Sequence, residues 1–171
     1  MKDALAIHRM LIERGTRHEI VRLSRTISTA EELPAALGLA PRRCLTTKLH
    51  TGDRAGDRGR LAAVISAVAG PAPDLDPVRR ALGVRALRPA PAHLVNAATE
   101  YAAELVCPLL LPRDVPVFID GRVLDDLHFD EVVYTATGES CTALGIRTID
   151  LYTLSRAEPI GPADALHAGR R

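Results

Sequence analysis

The sequence predicts an α+β fold built on a mixed or antiparallel sheet. Short apolar strands alternate with short helices at irregular intervals, and two strands on either side of a glycine-rich, charged loop read as a hairpin. A doubly wound parallel sheet would need a regular strand–helix repeat, which this chain lacks. Length supplies the third observation: 171 residues suffice for one well-filled core and not comfortably for two. A single domain is expected over residues 1–156, with a flexible tail over 157–171, where Pro, Gly, Ala and Arg accumulate.

After a floppy start that includes Lys2, Ala4, Ile7, Met10 and Leu11 recur at helical spacing, and Gly15 stands where a C-cap would end the run. Residues 18–23 alternate as a strand. Ser28 or Thr29 can cap a helix through Glu31, Glu32, Leu33 and Leu37 to Gly38, and Thr29 followed by Glu32 has capping-box spacing. Pro41 closes that connection, 44–50 is the next strand, and 51–60 is a mobile hairpin loop leading into the apolar run 61–68. Gly70-Pro71-Ala72-Pro73 breaks the pattern. Asp74 or Asp76 then starts a short helix with Pro77 in its first turn and Gly83 at its end. A brief strand over 84–87, a helix over 92–98 and an apolar stretch over 101–111, interrupted by Glu104 and Pro108, come next. Strands follow at 117–120, 129–135 and near 144–147, with a last helical turn at 150–154.

Apolar residues at 47% and charged residues at 25% argue against a disordered chain. A net charge of +1 supplies no general basic field, so a nucleic-acid partner must be held by a local patch. Aromatic residues at 3%, with no Trp, argue against a stacking platform for single strands. Cys44, Cys107 and Cys141 lack metal-ligand spacing and cannot all pair within one chain, so neither zinc nor a disulfide framework is expected, and no cofactor. Asp3, His8, Arg9, Glu13 and Arg14 interrupt the N-terminus, which therefore lacks the apolar region of a signal peptide. No stretch approaches the roughly 18 apolar residues of a membrane span. A cytoplasmic protein with no membrane partner is expected.

Gly-rich phosphate loops, His-Glu-x-x-His and Gly-x-Ser-x-Gly are all missing, so chemistry must come from scattered residues. Lys48 stands out. Of 22 basic residues only Lys2 and Lys48 are lysine, and Lys48 lies within the apolar strand 44–50. Lysine is a compact charge on a flexible stem that can lose its proton when desolvated, whereas arginine is a planar fork that stays charged. A lysine kept in an arginine-rich chain suggests lysine chemistry; the alternative is an edge-strand lysine facing solvent. His50, two residues on, shares its face and could carry a proton.

The order of these features resembles the YbaK/ProX superfamily. The resemblance covers residues 4–156 and is carried by Leu37-Gly38, the strand around Lys48-Leu49, Leu82-Gly83-Val84, Thr99-x-Tyr101, Cys107-Pro108-Leu109, Val117-x-Ile119-Asp120, Val133-Tyr134, Gly138 and Asp150-Leu151. Those proteins are aminoacyl-tRNA deacylases related to the editing domain of bacterial prolyl-tRNA synthetase. The resemblance implies a curved, open barrel-like sheet, mixed and largely antiparallel, flanked by short helices. It implies a pocket on one face that receives the aminoacylated 3′ end of a tRNA, with an aminoacyl-tRNA synthetase as a candidate second partner. The reaction would be hydrolysis of a mischarged ester, of the prolyl-tRNA-editing type. Lys48 matches the family's functional lysine and would hold the terminal phosphate or polarise groups near the ester. Because an ester is already activated, positioned water and oxyanion stabilisation can suffice without a nucleophilic side chain.

Cys107, Pro108, Asp120, Gly138, Asp150 and His50 are the expected substrate-binding residues. Cys107 could line the pocket, act as a nucleophile in a cysteine-dependent hydrolase, or be a buried small hydrophobe. Asp120 could position water or a ribose hydroxyl, but Asp120-Gly121 also reads as a hairpin turn. Asp150 could be an N-cap, and Gly138 a turn residue with or without an amide facing the ligand. Glu104 could read a substrate amino group or be solvated. Two segments depart from the family pattern. Glu104, Leu105, Val106, Cys107, Pro108, Leu109 and Leu110 stand where the cysteinyl-tRNA deacylase branch has Gly-Gly-Ile-Ser-Pro-Leu-Gly. Thr137, Gly138, Glu139, Ser140 and Cys141 replace a Gly-Gly-Lys-Arg-Gly stretch. The alternative to a deacylase is a noncatalytic module of the same fold that binds tRNA or a synthetase, with Arg54 to Arg60 as its phosphate-contacting element.

Overall fold

The central strand over residues 44–52, buried at both ends and open to solvent on one face in its middle, organises the molecule. A computed structural model describes residues 1–52 and 59–161. Its strands are β1 (His18–Arg22), β2 (Cys44–Gly52), β3 (Leu61–Ala67), β4 (Leu87–Pro89), β5 (Val117–Asp120), β6 (Val132–Ala136), β7 (Thr142–Arg147) and β8 (Glu158–Ile160). Its helices are α1 (Ala4–Glu13), α2 (Leu33–Leu37), α3 (Asp76–Leu82), α4 (Ala92–Thr99), α5 (Gly121–Asp126) and α6 (Thr148–Ser155). The strands form one open sheet in the order β1-β7-β6-β2-β3-β5-β8, with β4 also pairing β2. The β1–β7, β6–β7, β2–β3 and β2–β4 pairs are antiparallel, whereas β2–β6, β3–β5 and β5–β8 are parallel. The sheet is therefore mixed and largely antiparallel, as expected.

Leu45 and Leu49 of β2 face the main core together with Ala63 and Ile65 of β3, against Ile7 and Leu11 of α1, Val95 of α4 and Leu151 of α6. The other face is covered in two places. At one end Cys44 packs with Leu23, Ile27, Ala30 and Leu33, beneath a 3₁₀ turn (Ala30–Glu32) and α2. At the other, Val64, which pairs with Lys48, packs with Val78 and Leu82 of α3 and Phe118 of β5. Thr46, Lys48 and His50 project from β2 between these two covered patches, over the groove described below.

Local chemistry explains the elements that were legible. Asp3 Oδ1 accepts the Ala6 N–H at 2.8 Å to cap α1, while Gly38 and Gly83 close α2 and α3 in the left-handed conformation that glycine adopts without strain. The 44–50 and 61–68 strands pair as the expected hairpin, from Leu45 with Ala67 to Thr51 with Leu61. Its tip falls on residues 53–58, outside the described residues, as do most of the arginines expected to contact phosphate.

Four expectations are corrected. Asp120-Gly121 is no hairpin turn: Asp120 Oδ1 accepts the Arg122 N–H at 3.0 Å and caps α5, a helix the sequence did not signal. The brief strand expected at 84–87 lies at Leu87–Pro89. The expected tail from residue 157 begins with β8, which pairs with β5; residues 162–171 lie outside the described residues. Lys2 is not floppy, since its amide donates to the Glu100 carbonyl at 2.8 Å and its ammonium to the Thr99 carbonyl at 2.9 Å.

Candidate active site

Lys48 lies on a central strand, with β3 pairing along one edge of its strand and β6 and β4 pairing along the other, so the edge-strand alternative fails. It lines a groove of about 250 Å³ together with Glu31, Thr46, His50, Ser66 and the 70–73 segment. Lys48 Nζ lies 2.6 Å from Glu31 Oε1, with the two side chains 55% and 36% exposed. Glu31 is presented by the turn before α2. There Glu32 Oε1 accepts the backbone N–H groups of Ser28 and Thr29 at 2.8 and 3.1 Å, which fixes the turn and leaves its neighbour to face β2. Burial pushes the Glu31 carboxyl up, but the Lys48 ammonium, its own backbone amide and the Thr29 hydroxyl together hold it below the usual carboxylate range.

His50 shares the groove with Lys48, as its spacing predicted. Burial lowers its pKa below the ordinary histidine value, and the Lys48 charge adds to that effect. The Lys48 backbone works the other way, without a well-formed hydrogen bond. His50 Nδ1 is buried and has no hydrogen-bond partner. The imidazole is therefore neutral at pH 7, and one ring nitrogen is unsatisfied.

The outer wall of the groove is the Gly70-Pro71-Ala72-Pro73 segment, which departs from β3. Gly70 has φ +104°, a conformation strained for any side-chain-bearing residue. The Arg122 guanidinium donates to the Pro71 carbonyl at 3.0 Å and is itself gripped by both carboxylate oxygens of Asp120. Asp120, 5% exposed, thus reaches the groove only through Arg122 and the wall. It lines the adjoining cavity on the far side of Gly70 and Pro71.

The remaining expected residues are not brought to Lys48. Cys107 is fully buried in the main core, and burial pushes its thiol up to about 12, the opposite of what a nucleophile needs. Pro108 borders a separate cavity with Met10, Arg14 and Arg113. Gly138, at φ +92°, gives its N–H to the Leu105 carbonyl at 2.8 Å. A Cβ there would lie 2.7 Å from the Lys2 carbonyl and 2.8 Å from Tyr101, so it is a packing glycine whose amide is already used. Asp150 sits inside the first turn of α6, not at its cap, and holds Arg147 through contacts of 2.6 and 3.2 Å, two strands away from β2. Glu104 is exposed and does not line the groove.

Glu31, Thr46, Ser66 and the 70–73 wall were missed as site residues. Thr46 had a usable signal, two residues before Lys48 on the same face, and Ser66 follows from the hairpin register, which pairs it with Thr46. Glu31 had none beyond its place in a capped turn.

The model of the aminoacyl-tRNA editing domain family matches residues 24–154, a span that contains every residue of the groove. The chain belongs to the aminoacyl-tRNA editing domain family. No curated protein sequence matches it. Solved structures share the fold of this editing domain. A "hypothetical protein" superposes with a TM-score of 0.73 at 20% identity, covering 90% of this chain and 95% of that one. A "putative trans-editing enzyme for prolyl tRNA synthetase" superposes with a TM-score of 0.68 at 23% identity, covering 90% and 92%. Among the described residues, no helix of the editing domain is long and apolar enough to cross a membrane, and no group of three or more His, Cys, Asp or Glu side chains could hold a metal ion.

Thiol accessibility tests this arrangement. Cys44 and Cys107 are buried, with their thiols pushed up to about 11 and about 12, whereas Cys141 is partly exposed. Alkylation of the native protein followed by peptide mapping should label Cys141 alone, with the other two reacting only after unfolding; rapid native labelling of Cys107 would contradict the buried placement.

Proposed function

We propose that this editing domain hydrolyses the ester joining an amino acid to the 3′-terminal ribose of a mischarged tRNA, acting in trans in the cytoplasm, with Lys48 as the catalytic residue. One observation carries the reading: in a chain of this family, Lys48, Glu31 and a neutral His50 converge on one groove.

Water adds to the ester carbonyl carbon, and the developing oxyanion is stabilised by the Lys48 ammonium, with Glu31 holding the lysine in place. His50 takes the proton from the attacking water. The carbon–oxygen bond to the ribose then breaks, and the leaving ribose oxygen receives that proton, so the products are the free amino acid and the uncharged tRNA. Asp120 and Arg122 position the wall against which the aminoacyl group lies. The prolyl-tRNA-editing type of substrate is favoured by the structural likeness to the trans-editing protein, and an aminoacyl-tRNA synthetase is the candidate second partner.

A second reading is a noncatalytic module that binds aminoacyl-tRNA or a synthetase. It is favoured by the segment over 104–110, where the cysteinyl-tRNA deacylase branch has three glycines and this chain has none. Here Leu105, Val106, Cys107 and Leu109 of that segment are buried. A cysteine-dependent hydrolase has no support, because Cys107 is inside the core.

Deacylation of a panel of mischarged tRNAs separates these readings. Wild type should release amino acid, and Lys48→Ala should lower kcat by about 100-fold or more, the size of a lost oxyanion contact. No turnover on any member with tRNA binding intact would leave the noncatalytic module. The pH profile of the same reaction should fall on the acid side, through a pKa below the ordinary histidine value of about 6.5. The sign follows from His50: a lowered pKa keeps the imidazole neutral, and able to accept a proton, to lower pH. His50→Gln should remove that limb; a limb that persists unchanged would exclude His50 as the base.

A further inference from the structure

The Lys48 groove carries both signs of charge, and this limits what it can recognise. A lone lysine at the floor of a groove would select an anion. Here its charge is matched at 2.6 Å by Glu31, so a phosphate entering the groove would have to displace a carboxylate. The groove is also small. Its volume of about 250 Å³ lies below the roughly 300–1,000 Å³ of a typical small-molecule pocket, enough for an aminoacyl group and not for the terminal adenosine as well.

An aminoacyl ester places an ammonium beside a polarised carbonyl oxygen. The groove places a carboxylate beside an ammonium. The two pairs are complementary when the ester lies along the Glu31–Lys48 pair, its α-ammonium against the carboxylate and its carbonyl against the lysine. We infer that Glu31 is the specificity residue that recognises the free α-ammonium of the aminoacyl group, so that the groove distinguishes aminoacyl esters from N-acylated ones. This rests on reading the groove as the aminoacyl site.

Three observations support the assignment. Glu31 is kept ionised, since the Lys48 ammonium, the backbone amide and the Thr29 hydroxyl outweigh the effect of burial. A carboxylate can accept about four hydrogen bonds; Lys48 occupies Oε1, and the side chain, 36% exposed, keeps an edge open to the groove. Glu104, the acidic residue the sequence put forward for this task, does not line the groove. An N-acyl group would replace the ammonium with a neutral amide and leave the carboxylate facing a weaker, bulkier donor.

Binding of a non-hydrolysable analogue tests the inference independently of turnover. The probe is 3′-alanylamino-3′-deoxyadenosine, in which an amide replaces the ester, alongside its N-acetyl derivative, each titrated calorimetrically into the full chain. Wild type should prefer the free amine by about ten-fold or more, as expected for loss of a hydrogen bond between charged groups. Glu31→Gln should bring the two affinities together, while Glu31→Asp, which keeps the charge, should retain part of the preference. Equal binding of both analogues by wild type, a preference unchanged in Glu31→Gln, or no binding of either analogue would each overturn the assignment. Amine preference without any deacylation would retain the assignment and remove only the catalytic reading; deacylation that ignores N-acetylation would do the reverse.

Discussion

The register of β2 is the constraint on which the rest depends. In a strand the side-chain period is two, so a slip of one residue would carry Leu45 and Leu49 out of the core and Lys48 into it. That register is fixed by seven consecutive antiparallel partners on β3 and by Cys44 and Leu45 pairing with Tyr134 and Thr135 on β6. Burying Leu45 and Leu49 against α1, α4 and α6 makes any other register costly, and each leucine contributes a few kcal/mol of the order of 1.5–3 on burial. The lysine is therefore held in a set direction by its pairing with β3 and by leucines whose side chains lie on the opposite face of the strand.

The second face of the sheet shows how a groove arises without a dedicated cavity. Two separate apolar patches, one under α2 and one under α3, leave the middle of β2 and β3 uncovered. A polar strip of Thr46, Lys48, His50 and Ser66 occupies the gap. Walls are then added from outside the sheet, by Glu31 on the side of α2 and by Pro71 on the side of α5, where Arg122 ties the wall to a buried carboxylate. Preorganisation of this kind holds charges where a transition state needs them, because the scaffold has already borne the cost of placing them.

Much of the fold was legible because its signals are local. The periodicity of α1, the glycines closing α2 and α3, the hairpin and the run over 117–120 are each set by a few adjacent residues. What was not legible depends on partners far along the chain. β8 is a strand only because Glu158, Pro159 and Ile160 lie beside β5. Asp120-Gly121 is compatible with a turn or a helix cap, and the choice is made by Arg122, which reaches from that cap to Pro71, 51 residues earlier. The site divides the same way. Lys48 and His50 share a strand and were found together, whereas Glu31 meets Lys48 only through the packing of a capped turn. Cys107, Gly138 and Asp150 carried family resemblance, yet in this chain their groups are taken up by the core, a carbonyl and an arginine.

The chain contains only two lysines, which makes the location of the tRNA 3′ end directly measurable. Periodate converts the terminal ribose of a tRNA to a dialdehyde that forms a reducible imine with a nearby lysine, and peptide mapping after borohydride reduction identifies the residue. If the 3′ end enters the groove, the adduct will be on Lys48 and will be competed away by unoxidised tRNA. An adduct confined to Lys2, whose ammonium is engaged with the Thr99 carbonyl at 2.9 Å, or no adduct at all, would contradict the placement of the site.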